Sequence, residues 1–183
     1  MHSLASLEIQ PTPRGGLVEV RIADARTGQT LVVEHDGDLA AYDLERADWP
    51  DEPHPDAVLI GELDGESSVL FVELKGRWDE RAFGQIEGGA RHFHPAQGSH
   101  GERHHRRWAS NDDRIRLLPP GNHRVAGLCV VNRAGARPLP TRRFSMYRTQ
   151  VPLRLVQLAS VRNEARTTFR GLFAQVWPRG HTK

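Results

Sequence analysis

His54-Pro55-Asp56-Ala57-Val58-Leu59-Ile60 and, with its glutamate 17 residues after that aspartate, Val69-Leu70-Phe71-Val72-Glu73-Leu74-Lys75-Gly76 decide how this chain is read. Residues 69–74 are nearly all apolar, the pattern of a central strand covered on both faces. Ala57-Val58-Leu59-Ile60-Gly61 predicts a short apolar strand, and Asp64-Gly65 is a hairpin-turn signal. Side chains two apart on a strand share a face, so Phe71, Glu73 and Lys75 point the same way. If the chain folds back at Asp64-Gly65, Asp56 comes to lie near the end of the second strand, by Lys75. Two carboxylates and one ammonium on so apolar a strand are costly to bury unless something pairs with them. Such a cluster has a chemical use. Hard divalent cations such as Mg2+ take carboxylate oxygens and keep several waters. The bound ion lowers the pKa of its water and stabilises charge developing on a phosphate. A lysine beside it can hold the attacking water or neutralise the phosphate oxygens.

Outward from this hairpin, residues 17–22 alternate apolar and polar as a half-buried strand does, Thr27-Gly28 is a turn, and residues 30–34 read as the returning strand. Residues 38–48 predict a short helix, with Leu39, Tyr42, Leu44 and Ala47 near one side. Trp49-Pro50-Asp51-Glu52-Pro53-His54-Pro55 predicts a rigid loop. After Gly76 the period changes: Trp78, Ala82, Phe83, Ile86, Ala90 and Phe93 fall at helical spacing, though Gly88-Gly89 weakens that helix. Residues 95–123 are polar and rich in Gly, Pro, His and Arg, and predict a long loop. Residues 125–131 predict a buried strand, 133–143 a Pro- and Arg-rich connection, and 151–158 a further strand. A final helix is expected from about residue 160, with Val161, Ala165, Phe169, Leu172, Phe173 and Val176 along one side. The expected fold class is α/β (α+β), a mixed sheet flanked by helices.

The chain of 183 residues suits one domain over 1–183, with an N-terminal hairpin at about 15–35 and the Arg/His-rich loop as additions. At 38% hydrophobic residues it is apolar enough for a packed core and has no run long enough to span a membrane. Met1-His2-Ser3-Leu4-Ala5 lacks the pattern of a signal peptide, so a cytoplasmic location is expected. A single cysteine, Cys129, excludes an intramolecular disulfide, a four-cysteine zinc site and a cysteine-ligated cluster; mid-strand, it reads as a small apolar residue. The net charge of +2 hides a split, because residues 1–91 hold 8 Lys+Arg against 19 Asp+Glu and residues 92–183 hold 17 against 4. Halves this unequal point to nucleic acid; the bland alternative is that they neutralise each other within the fold. Nearly all the basic charge is arginine. Lysine occurs only at Lys75 and Lys183.

Pro55-Asp56 followed by Glu73-Leu74-Lys75 resembles the motif of the PD-(D/E)xK nuclease superfamily, to which restriction endonucleases and many repair and defence nucleases belong. The resemblance implies a restriction-endonuclease-like core: a four-stranded mixed sheet flanked by helices, with the aspartate on the second core strand and E-x-K on the third. A helix follows, often with a glutamine near the site, and here Gln85 on the row 78-82-85-89 matches it. The likeness covers residues 55–90 well and the 125–131 strand by order only; the 17–34 hairpin is no part of that core. It implies an enzyme, a Mg2+- or Mn2+-dependent endonuclease that hydrolyses phosphodiester bonds, in DNA rather than RNA, in defence or repair. Asp56 and Glu73 would ligate the metal, Lys75 would orient or activate water, and Gln85 would assist. Some members add an upstream acid, for which Glu34, Asp43 and Glu45 are candidates. A homodimer is compatible with this class, because cutting both strands of a duplex needs two sites.

Nucleic-acid contacts are expected from the basic half. Arg103, Arg106 and Arg107 crowd one loop with His92, His94, His100, His104 and His105. Arg162, Arg166 and Arg170, four apart, would form one stripe of the last helix and contact phosphates; the alternative is a solvated face. Trp108 and Tyr147 are candidates for base stacking, with packing as the alternative. Two further readings remain beside the nuclease: a binding module of the same fold that holds nucleic acid without cutting it, and a zinc protein built on the histidine loop.

Overall fold

The computed structural model describes residues 7–46, 53–77, 79–93, 124–133, 140–146 and 149–177. Residues 95–123, expected as a loop and holding Arg103, Arg106, Arg107 and Trp108, lie outside the described residues, as do Trp78 and Tyr147.

The central hairpin forms as the pattern requires. Strand β5 (Ala57–Leu63) pairs antiparallel with β6 (Glu66–Arg77), Ala57 opposite Val72 and Leu63 opposite Glu66. The turn is Asp64-Gly65, with φ of 58° and 76°, the left-handed pair that a two-residue hairpin of this hand demands. Strand β4 (Leu39–Asp43) extends the sheet antiparallel to β5. Beyond β6 lies β7 (Arg124–Arg133), parallel to it, then β9 (Thr149–Gln157), parallel to β7, and β8 (Thr141–Met146), antiparallel on the edge. This is a mixed six-stranded sheet in the order β4-β5-β6-β7-β9-β8. Helix α1 (Arg81–Phe93) makes the crossover between the parallel pair β6 and β7. Its Ala82, Phe83, Ile86 and Ala90 pack on Phe71, Cys129, Val131 and Leu153 of the sheet.

The opposite face is covered mainly by a second sheet. Strands β2 (Leu17–Asp24) and β3 (Gln29–His35) form the expected N-terminal hairpin, with Gly28 at φ 67° in the turn. That hairpin is part of a five-stranded sheet ordered β1-β2-β3-β11-β10, where β1 is Thr12–Arg14, β10 Ser160–Val161 and β11 Glu164–Thr168. Val20, Ile22, Leu31 and Val33 of this sheet pack with Leu59, Leu70, Val72 and Leu74 of the first, and helix α2 (Phe169–Val176) adds Phe169, Leu172, Phe173 and Val176. The structure is thus mixed α+β, two open sheets with two helices among the described residues. One face of the main sheet meets a helix; the other meets a sheet and a short helix, where a helix had been expected on each flank.

Three local expectations are corrected. Residues 39–43 are a strand and not a helix. Leu39, Ala40, Ala41 and Tyr42 are all buried, with Ala40 and Tyr42 in the core under α1 and Leu39 and Ala41 in the core between the sheets. Both faces are covered, so no polar residue marks the period of two. Residues 141–143, read as the end of the 133–143 connection, open the edge strand β8, which runs on to Met146. The expected helix from residue 160 begins only at Phe169: residues 160–168 are a hairpin that turns at Arg162 and Asn163, both at positive φ, and adds β11 parallel to β3. Val161, placed on the apolar side of that helix, is 77% exposed. Thr168 ends the strand and caps the helix, its hydroxyl accepting from the Gly171 amide at 2.9 Å.

Candidate active site

The pairing Ala57–Val72 carries the hairpin one step further, to Asp56 beside Glu73. The two are locked reciprocally. The Asp56 amide donates to Glu73 Oε2 at 3.1 Å, and Asp56 Oδ2 accepts from the Leu74 amide at 2.5 Å. Glu73 is fully buried and Asp56 is 3% exposed. Lys75 Nζ is in ion-pair contact with Glu73 Oε1, which is otherwise buried without a hydrogen bond. Burial raises the pKa of Asp56 well above the usual carboxylate range, and the charge of Glu73 raises it further. Burial also raises that of Glu73, with the Lys75 ammonium pulling it back. Asp56 is made harder to ionise by burial and by the Glu73 charge, and Glu73 by burial alone, against the pull of Lys75, the Asp56 amide and Arg26.

Helix α1 sets the position of Asp56 from outside the pair. Gln85 Nε2 donates to the His54 carbonyl at 3.3 Å, two residues before Asp56. Gly88 and Gly89 let the helix press against the same segment. A β-carbon at Gly88 would stand 2.1 Å from the Pro53 carbonyl oxygen, and one at Gly89 2.2 Å from Pro55 Cδ. The glycine pair that weakens the helix in isolation is what allows it to seat the aspartate loop.

The second sheet also reaches the site, which sequence reading missed. The β2–β3 turn touches the end of β6, where a β-carbon on Gly76 would lie 3.7 Å from Thr27 Cγ2. From that turn Arg26 extends Nη2 to 2.8 Å from Glu45 Oε1 and 3.7 Å from Asp56 Oδ1, with Nε 3.6 Å from Asp24 Oδ1. Asp24 shapes the turn: its side chain accepts from the Arg26 amide at 2.8 Å and the Thr27 hydroxyl at 2.6 Å, and its carbonyl from the Gly28 amide at 2.9 Å. The local signal was present, an aspartate three residues before a threonine at a Thr-Gly turn. Nothing in the spacing says that the turn ends beside Asp56.

Of the candidate upstream acids, Glu45 is the one next to the site, through Arg26. Glu34 pairs with Arg166 on the second sheet, and Asp43 closes β4 opposite Ala57. The three arginines at 162, 166 and 170 do not form a stripe. Arg162 is in the β10–β11 turn. Arg166 is on β11, bonded to Glu19, Glu34 and Glu164, and Arg170 is in α2, bonded to Asp64 at 2.7 Å. Spacing of four has no meaning across a turn, a strand and a helix start. Cys129, opposite Glu73 on β7, is buried, and burial with the Glu73 charge pushes its thiol up; it is an inert packing residue.

Could Asp56 and Glu73 hold a divalent cation? Among the described residues no group of three or more His, Cys, Asp or Glu gathers as a ready metal cage. Mg2+ needs less, since one or two carboxylates with water and substrate oxygens suffice. Two hard carboxylates, one with a buried oxygen met only by the Lys75 ammonium, fit that smaller requirement. No described helix is long and apolar enough to cross a membrane. Comparison with protein-family profiles, curated proteins and solved structures finds no match for this chain.

Proposed function

We propose that this protein is a metal-dependent endonuclease of the restriction-endonuclease-like kind, hydrolysing phosphodiester bonds in nucleic acid, with DNA the expected substrate. The observation that carries the reading is the buried Asp56–Glu73 pair, cross-bonded through the backbone and flanked by Lys75. A protein has little structural reason to bury two mutually repelling carboxylates. The strand arrangement supports the same reading: β4-β5-β6 antiparallel, a helix, then β7 parallel to β6, with the aspartate before the second of these strands and Glu73-Leu74-Lys75 on the third.

In this mechanism Asp56 and Glu73 would hold Mg2+ or Mn2+. Bound there, the ion supplies a water of lowered pKa and offsets charge on the phosphate. Lys75, 19% exposed at its side chain, presents its ammonium at the end of β6, where it orients the attacking water and offsets charge developing on the phosphate oxygens. Gln85 acts by holding the His54 carbonyl and with it the Asp56 loop. Glu45, held by Arg26 beside Asp56, is the nearby candidate for a further acid. The basic half of the chain supplies phosphate contacts, and a homodimer would bring two sites to a duplex.

The test is incubation with duplex DNA, single-stranded DNA and RNA, each with Mg2+, Mn2+ or EDTA, for the wild type and for Glu73→Ala. Cleavage by the wild type alone, abolished by EDTA, is the expected result. Wild-type protein that binds these nucleic acids but cuts none of them with either metal would instead favour the binding module.

A further inference from the structure

Arg26 is oddly engaged for an exposed arginine. Its side chain is 64% exposed, yet three carboxylates from three segments lie within 3.7 Å of its guanidinium: Asp24, Glu45 and Asp56. Nη2 is shared by Glu45 Oε1 and Asp56 Oδ1. Lys75 stands at the far end of the same group, on Glu73. When all are ionised, Asp24, Glu45, Asp56 and Glu73 outweigh Arg26 and Lys75 by two negative charges, the deficit that one divalent cation removes.

We propose that Arg26 is a built-in counter-ion of the metal site, which bridges Glu45 and Asp56 in the metal-free protein and is displaced by the arriving divalent cation. The inference rests on the metal-site reading of Asp56 and Glu73. Its physical basis is exclusion: a cation on Asp56 faces a guanidinium 3.7 Å from Oδ1, and two like charges at such a distance cannot both be favoured. The guanidinium gives way because it is the weaker-held partner, a single charge on a long, largely solvated side chain. Its departure leaves Glu45 without its 2.8 Å contact and free to turn to the metal or its waters. The turn that carries Arg26 survives the exchange, since its hydrogen bonds run through Asp24, the Arg26 amide and Thr27, not the guanidinium.

The test is binding of Mn2+ alone, by calorimetry at low salt without nucleic acid, to the wild type, Arg26→Gln and Arg26→Lys. Removing a competing positive charge should tighten Mn2+ binding in Arg26→Gln by about tenfold, whereas Arg26→Lys stays near the wild type. In a parallel 15N NMR titration with diamagnetic Mg2+, the Nε–H signal of Arg26, assigned by its loss in Arg26→Gln, should shift in step with metal saturation. Equal or weaker Mn2+ binding by a folded Arg26→Gln, or an Arg26 signal unmoved while Mg2+ binds, overturns the counter-ion and leaves the metal site standing. Absence of Mn2+ binding in all three proteins overturns the metal site itself.

Discussion

Asp56→Asn should make the metal-free protein more stable, and only at neutral and alkaline pH. In the fold the Asp56 carboxyl titrates at about 8 instead of 3.8, through burial first and the Glu73 charge second. A group whose folded pKa is raised contributes stability that is complete below its unfolded pKa and lost as pH rises through the folded value. The metal-free wild type should therefore weaken between about pH 4 and pH 8. One pKa unit corresponds to about 1.4 kcal/mol, so the full rise would amount to about 6 kcal/mol if nothing relaxed. Water entry and side-chain adjustment raise the effective dielectric around buried pairs, and the expected gain at pH 8 is about 2–3 kcal/mol. Asparagine keeps an oxygen to accept from the Leu74 amide and leaves the Asp56 amide free to donate to Glu73. Thermal melts in EDTA should place the variant's Tm above the wild type by roughly 5–10 °C at pH 8 and level with it at pH 4. Mn2+ should raise the wild-type Tm at pH 8 and leave that of the variant unchanged. A variant destabilised equally at both pH values would refute the reasoning, because the carboxylate would then be holding the fold together, not straining it.

Glu73→Gln should abolish cleavage while preserving the fold, checked by circular dichroism beside a metal-dependent nuclease assay. Lys75→Ala should lose turnover but keep most nucleic-acid affinity, since a single ammonium aimed at the reaction centre matters most in the transition state; weaker binding with normal single-turnover cleavage would make it a phosphate contact. Gly88→Ala must push the Pro53 segment away from α1, and a denaturant titration should show a loss of about 1–3 kcal/mol together with lowered activity from a displaced Asp56. Arg166→Gln should lower the Tm only slightly, since it removes one of three arginines paired with the buried Glu19 and leaves Arg14 and Arg21 in place, and should leave the salt slope of DNA binding unchanged; a shallower slope would return Arg166 to the phosphate-binding surface.

The main hairpin was legible because every level of the sequence agreed on it: apolar runs, a turn with two residues suited to positive φ, and charged residues at its two ends with none in the middle. The failures share another cause. Residues 39–42 hide their period because both faces are buried and nothing polar marks the alternation. Residues 161–176 place apolar side chains at spacings a single helix would explain, but Ala165 is buried by sheet pairing and Phe169 by helix packing. A pattern read over sixteen residues joined two elements, with Thr168 serving both as last strand residue and helix cap.

For the site the division is sharper. Asp56, Glu73 and Lys75 were legible because one short hairpin holds them, so their meeting depends on local register alone. Arg26 was not, because it reaches Asp56 only through the packing of one sheet on the other. That contact depends on Val20, Ile22, Leu31 and Val33 finding Leu59, Leu70, Val72 and Leu74 across the core, and no linear spacing encodes it. The acidic half of the chain, read as neutralised by or complementary to the basic half, is partly spent within itself. Asp24, Glu45 and Asp56 surround a guanidinium from their own half. In the basic half, Arg166 is committed to Glu19, Glu34 and Glu164, and Arg170 to Asp64. Charge asymmetry along a sequence therefore overstates the free positive surface left for nucleic acid. Arg162, in its exposed turn, is still to be tried as a phosphate contact. Replacing Arg162 with glutamine should cost no Tm, since its side chain is exposed in the β10–β11 turn, and any change it makes in the salt slope can then be assigned to binding alone.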